Sequence, residues 1–189
     1  MADQKTEKEK MLAGELYDAA DPELTAQRRH ARELLHGLNI SGYADRARYA
    51  QIVAALLPSC SRDLWIEPPF YCDYGYNIAC GEKVFFNFNC AVLDVMPVTI
   101  GANVLFGPAV QIYTATHPMS AAQRRVGVEF ARPVTIGSDV WVGGGAIICP
   151  GVRVGARAVI GAGSVVTKDI PDDVFAAGNP CRVVRALSE

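Results

Sequence analysis

Hydrophobic positions along this chain keep two different periods. From about Glu7 to Pro58 they recur three and four residues apart, with Leu24, Leu34, Leu35, Leu38, Ile52, Val53, Leu56 and Leu57 set among charged residues. That is the spacing of helices carrying one apolar stripe. Asp21, Pro22 and Glu23 supply an N-cap, a first-turn proline and an acidic first turn. Gly37 suits the C-terminal end of that helix, and Pro58 stops the last one.

Beyond residue 60 an aliphatic or small residue returns every six positions, at Ile66, Cys72, Ile78, Val84 and Cys90. After a two-residue slip the series resumes at Val98, Val104 and Val110, and after a gap at Val134, Val140, Ala146, Val152, Ala158, Ser164 and Ile170. A second apolar residue often follows two positions later, as at Ile100, Phe106, Ile112, Ile136, Val142, Ile148, Val154, Ile160 and Val166. Alternation inside each six predicts a short strand with one buried side. Glycine then tends to follow (Gly101, Gly107, Gly137, Gly143, Gly155, Gly161), where a turn between strands calls for permissive φ/ψ. Three such units close a triangular coil, and stacked coils bury the repeated aliphatics as ladders, giving a parallel β-helix of hexapeptide repeats. A β-sandwich would need longer strands whose turns are not tied to a six-residue period. The expected fold is therefore mainly β, with a helical segment over 1–59 and a β-helix over 60–189.

Between Ala115 and Val134 the period is abandoned for a polar, small-residue stretch, residues 116–133, which predicts one extruded loop. Loops of this length in a regular scaffold tend to carry function. Of the three histidines, His30 and His36 lie in the helical segment and only His117 in the β-helix region, inside this loop. An imidazole, with an ordinary pKa of about 6.5, is suited to take a proton from a hydroxyl near neutral pH. Glu129 shares the loop. The run Gly143-Gly144-Gly145 permits close backbone approach to a ligand, and Trp141 follows a ladder valine, which points it outward. Lys168, Arg182 and Arg185 form a basic set towards the C-terminus, suited to phosphate groups or to a solvated end surface.

Composition narrows the classes. Half of the 189 residues are hydrophobic and a fifth are charged, so a folded chain with a sizeable core is expected. A net charge of −2 gives no general attraction to nucleic acid or to anionic membranes, and no stretch reaches the apolar length of a membrane span. Met1 to Lys10 is polar and charged where an export signal would be apolar, which sets the expected location as cytoplasmic. The six cysteines form no CxxC pair and suit small reduced core residues. A zinc carbonic anhydrase on a similar β-helix would need several histidine ligands, and only one histidine lies in the repeat region. A non-enzymatic scaffold is the remaining alternative, and the irregular loop with His117 argues against it.

Several runs closely resemble the maltose and galactoside O-acetyltransferases: Tyr113-Thr114-Ala115-Thr116-His117-Pro118, Cys72-Asp73-Tyr74-Gly75-Tyr76-Asn77-Ile78, Asn87-Phe88-Asn89, and Gly161 to Pro171 followed by Ala177-Gly178-Asn179-Pro180. Glu7 to Tyr17 is similar to the family's leading helical segment, so the resemblance covers almost the whole chain. It implies a left-handed β-helix, a homotrimer with sites between subunits, acetyl-CoA as co-substrate without a metal, and a sugar hydroxyl as acceptor. It also implies His117 as general base, Asp18 and Asn87 as acceptor contacts with Asp94 secondary, and Trp141, Gly144, Ala162, Thr167, Lys168, Arg182 and Arg185 as cofactor contacts. Galactoside-type members carry two adjacent acidic residues where this chain reads Asp94-Val95, so the pattern Val92-Leu93-Asp94-Val95 fits the maltose type better. A galactoside, a chitin-like oligosaccharide or an amino sugar remain alternative acceptors to glucose or maltose.

Overall fold

In the computed structural model, which describes residues 5–40 and 45–188, a short helical segment leads into a left-handed parallel β-helix. Residues 1–4, part of the stretch read above for export signals, lie outside the described residues. Helices α1 (Glu7–Leu12), α2 (Pro22–Ile40) and α3 (Arg46–Leu56) come first. Thr6 and Glu9 close a capping box on α1, and the Asp21 carboxylate accepts the amides of Glu23 and Leu24 at 2.9 and 3.2 Å, as its place before Pro22 predicts. Gly37 does not end α2. It lies three residues inside the helix, where a Cβ would stand 3.2 Å from Ile52 Cδ1, so its smallness lets α2 and α3 pack closely.

The β-helix has three faces, named here by their order in the chain. The first runs from Ser59–Cys60 through Ile78–Cys80, Val98–Ile100 and Val134–Ile136 to Arg153–Val154. The second runs from Trp65–Ile66 through Phe85–Phe86, Leu105–Phe106, Trp141–Val142 and Val159–Ile160 to Val174–Ala177, and Arg182–Ala186 folds back antiparallel on its last strand. The third runs from Phe70–Cys72 through Cys90–Leu93, Gln111–Tyr113 and Ile147–Ile148 to Val165–Val166. All fifteen positions of the six-residue series are buried, Ile66 to Ile170. Ser164, the one polar rung, is satisfied by donating to Gly161 O at 2.5 Å and accepting from Gly178 N at 3.1 Å.

Two details depart from the sequence reading. The series contains a second slip: register pairs Phe70 with Cys90 and Ile78 with Val98, so eight residues, not six, separate Phe70 from Ile78. The extra length is the turn at 73–77, and it is hidden because both inward positions of each unit are apolar. The repeated glycines also serve a different purpose. Gly101, Gly107, Gly137 and Gly143 do not adopt left-handed φ; instead, a Cβ on any of them would lie 2.5 Å from a backbone nitrogen of the next coil. The left-handed residue comes two positions later and is often not glycine, as at Asn103 (57°), Ala109 (57°) and Asp139 (60°).

Helices α2 and α3 share the β-helix core, while Met11 of α1 and Leu24 pack in a smaller cluster with Tyr17, Tyr74, Val95 and Ala131. Ala31, Leu35, Leu38, Val53, Leu56 and Leu57 pack in one cluster with the ladder residues. Asn39 binds both Phe70 N and Phe70 O at 2.9 Å, and Tyr49 brackets Ile66 through its hydroxyl. The segment thereby caps the open end of the first coil, which would otherwise expose unpaired strand edges. No helix among the described residues is long and apolar enough to cross a membrane.

Candidate active site

The loop predicted over 116–133 is built as a small sheet with a helix at its tip. Strands Ala115–Thr116 and Val128–Ala131 pair antiparallel, helix α4 (Ala121–Arg125) turns the chain between them, and Tyr17–Asp18 adds a third strand from the helical segment. Register sets Tyr17 opposite Glu129, Asp18 opposite Val128 and Thr116 opposite Phe130. Exposed His117 follows Thr116 directly, just beyond the paired residues, and Glu129 lies next to Phe130 on the facing strand. Residues paired across an antiparallel sheet direct their side chains to the same side, about 5 Å apart. The Tyr17 hydroxyl donates to Glu129 Oε2 at 2.9 Å, which fixes this carboxylate. Burial, and the negative Glu129 beside it, push the Tyr17 phenol well above its ordinary range, so it stays a donor.

Asp18 is exposed on this sheet's edge strand; its amide donates to Glu7 at 2.6 Å and its own carboxylate accepts from Ala20 N at 2.8 Å. Asp73 escaped the sequence reading although it stands in one of the matching runs. It is half-buried, burial raises its carboxyl pKa, and the charges around it are Arg28, Arg32 and Glu129. The available signal was its place in the run Cys72-Asp73-Tyr74-Gly75, not the turn, whose extra length the apolar pattern hides. Asp94, expected as a secondary acceptor contact, is instead 0 % exposed: its carboxylate accepts the amides of Asp73, Tyr74 and Gly75 at 2.9, 2.9 and 2.7 Å. It holds a turn in the core and offers no surface to a ligand.

The expected cofactor residues lie at the two edges of the third face. At the corner joining the second and third faces, Asn87, Gly107, Gly143 with Gly144, and Ala162 stack in successive coils. The amide groups of Gly144 and Ala162 have no hydrogen-bond partner among the described residues, leaving two parallel donors one coil apart. Behind this corner, register aligns Trp141, Val159, Phe175 and Arg185 in one row across the second face, about 14 Å long at ~4.8 Å per strand. Arg182 pairs with Ala177 beside it, and the Arg185 guanidinium lies 6.0 Å over the Phe175 ring. Thr167 and Lys168 sit at the opposite edge, the corner that also extrudes the loop bearing His117. Among the described residues none of Lys168, Arg182 and Arg185 is paired with a carboxylate. One chain thus places the histidine, with Thr167 and Lys168, on one edge of the third face, Gly144 and Ala162 on the other, and Trp141, Arg182 and Arg185 on the second face behind it.

The outward residues of the second face are apolar along its length: Trp65, Phe85, Leu105, Trp141, Val159 and Phe175 follow one register line. Leu105 and Trp141 are 50 % and 55 % exposed, a large apolar strip for a surface. A separate groove of about 450 Å³ on the helical segment, lined by Lys8, Gln27, His30, Leu34 and Tyr76 among others, contains none of the expected site residues.

Comparison with known proteins decides the family. Residues 10–61 match the maltose acetyltransferase hexapeptide capping motif and residues 133–168 the bacterial transferase hexapeptide repeats. A putative acetyltransferase of Saccharomyces cerevisiae is 50 % identical over 182 residues, covering 96 % of this chain and 93 % of that protein. The chain belongs to the maltose and galactoside O-acetyltransferase family. The crystal structure of a maltose O-acetyltransferase from Clostridium difficile 630 superposes with a TM-score of 0.96 at 46 % identity, covering 99 % of this chain and 100 % of that one. A galactoside acetyltransferase in complex with coenzyme A gives 0.94 at 37 % identity, covering 98 % and 92 %. The hexapeptide acetyltransferase is thus matched along both the β-helix and its helical cap.

Proposed function

We propose that this acetyltransferase moves an acetyl group from acetyl-CoA to a sugar hydroxyl of the glucose or maltose type, with His117 as general base. The observation that supports the reading is the extruded sheet, in which Tyr17 holds the Glu129 carboxylate and from which the chain runs directly into exposed His117. In the reaction, neutral imidazole takes the hydroxyl proton as the sugar oxygen attacks the thioester carbonyl carbon. Glu129 steadies the other ring nitrogen and the imidazolium that forms, as a carboxylate does in hydrolase triads. The tetrahedral oxyanion then collapses, the C–S bond breaks, and the thiolate of CoA leaves with the proton from His117. The acyl group is already activated, so no enzyme nucleophile is required. Asp18, on the edge strand of the same sheet, and Asp73 suit directional hydrogen bonds to sugar hydroxyls.

The cofactor lies along the corner of Gly144 and Ala162, whose free amides suit the amide carbonyls of the pantetheine arm, with Trp141 packed on it and Lys168, Arg182 and Arg185 taking phosphates. Asn87, on this same corner, reaches the acceptor from the cofactor side. Because His117 and this corner stand on opposite edges of one face, a homotrimer whose copies meet edge to edge completes each site, and the apolar second face supplies surface for such contacts. The six unpaired cysteines suit a reducing cytoplasm.

The test is acetyl transfer, followed as thiol release, by wild type and His117→Ala with glucose, maltose, a galactoside, a chitin oligomer and glucosamine as acceptors. The variant should lose about 10²–10⁴ in kcat with little change in the KM for acetyl-CoA. A folded variant that keeps more than a tenth of the wild-type kcat refutes His117 as base. Light scattering tests the trimer, and a fully active monomer refutes the shared site.

A further inference from the structure

The buried carboxylate of Asp94 is not needed to pair a charge. It sits at the second of two wide turns that stack at the corner of the third and first faces, 73–77 above and 94–97 below. Its Oδ1 accepts from the amides of Asp73 and Tyr74 and its Oδ2 from that of Gly75, while Asn77 Nδ2 donates to the Asp94 carbonyl at 2.7 Å. Three consecutive amides converging on one carboxylate leave the turn almost no freedom. Two further contacts close the remaining directions. The Tyr74 hydroxyl accepts from Arg28 at 2.6 Å, and Gly75, at φ +81°, lies so close to the Leu56 carbonyl oxygen that a Cβ would collide with it.

The residue this turn delivers is Asp73. Its carboxylate is half-buried, the charges acting on it are those of Arg28, Arg32 and Glu129, and Glu129 belongs to the sheet that carries Asp18. We propose that Asp94 is a positioning residue for the acceptor: by gripping the 73–75 amides it aims the Asp73 carboxylate at the sugar, and so sets acceptor affinity without touching the substrate. The proposal rests on the sugar acetyltransferase reading above, and wild-type thiol release with the acceptor panel tests that reading separately. A purely structural Asp94 would change stability, or both substrates alike; a positioning Asp94 changes the acceptor alone and only through Asp73.

The experiment is a double-mutant cycle on the full-length protein, with KM measured for the best acceptor and for acetyl-CoA. Asp94→Asn replaces one acceptor oxygen by a donor that faces backbone amides, and should raise acceptor KM about tenfold or more, the effect of one misaligned charge-assisted hydrogen bond. The KM for acetyl-CoA should stay within about twofold. Asp73→Asn should raise acceptor KM similarly, and Asp94→Asn added to Asp73→Asn should add little, since coupled residues are not additive. Asn77→Ala, which loosens the same turn from its other side, is the milder variant if Asp94→Asn does not fold, and should give the same split. Additive effects in the cycle, or equal rises in both KM values, or an unchanged acceptor KM in folded Asn77→Ala and Asp94→Asn, overturn the proposal.

Discussion

Replacing Gly143 by alanine tests what the repeated glycines are for. Gly143 has an ordinary φ, so alanine meets no backbone strain, yet its Cβ would stand 2.5 Å from Ala162 N and 2.9 Å from both Ala162 Cα and Ile160 O. Ordinary contact begins near 3.4 Å, so the coils must part locally by about 0.9 Å. The corner is tied by Gly143 N to Ile160 O at 2.7 Å and Gly163 N to Gly144 O at 2.9 Å, and such a displacement weakens one or both. Overpacking typically costs about 1–3 kcal/mol and a lost net hydrogen bond about 1 kcal/mol, giving about 2–4 kcal/mol together. For a domain of this size that lowers Tm by about 5–15 °C. The comparison is Gly163→Asn. Gly163 is left-handed at +68° with nothing within 4 Å of a Cβ, and Asn89 already holds the equivalent conformation three coils earlier, so this change should cost under about 1 kcal/mol. Thermal unfolding of both variants at one protein concentration, monitored by circular dichroism, decides the matter. If Gly143→Ala is as mild as Gly163→Asn, steric stacking is not the reason for the glycine column.

Arg185→Ala should raise the KM for acetyl-CoA by tenfold or more while leaving the fold intact, and rising salt should weaken wild-type cofactor affinity; a salt-independent KM, with no change in the variant, removes this arginine from the site. Glu129→Gln keeps an acceptor for Tyr17 but removes the charge behind His117, and should lower kcat at least about tenfold with acetyl-CoA affinity unchanged, as single-turnover kinetics would show. Burial pushes the Asp94 carboxyl from 3.8 up to about 7, against the pull of its three amide donors. The folded state therefore holds this proton more tightly than the unfolded one, and its contribution to stability falls as pH rises from about 4 to about 7. Tm against pH should accordingly slope downwards more steeply in that window for wild type than for Asp94→Asn, and equal slopes would contradict the assignment.

Much of this protein is determined by local chemistry. Positions such as Val98, Val134 and Val152 carry an apolar residue because each coil buries the same two rungs per face, so the six-residue period, the stacked strands and the extruded loop are all legible along the chain. The Asp21 cap and the stop at Pro58 are equally local, since a helix end depends on its own few residues. His117 could be singled out because it is the one histidine in the irregular loop. What the tertiary structure decided is where different coils and segments meet. The slip between Phe70 and Ile78 is invisible in a pattern whose two inward positions are both apolar, and only strand pairing reveals it. Gly37 and Gly143 are small because another element presses on them, not because their own backbone needs freedom. Asp94 looks along the chain like a polar residue in a turn, yet three amides from the coil above draw it into the core. The placing of Tyr17 against Glu129 depends on strands more than a hundred residues apart, and no local period records a contact at that separation.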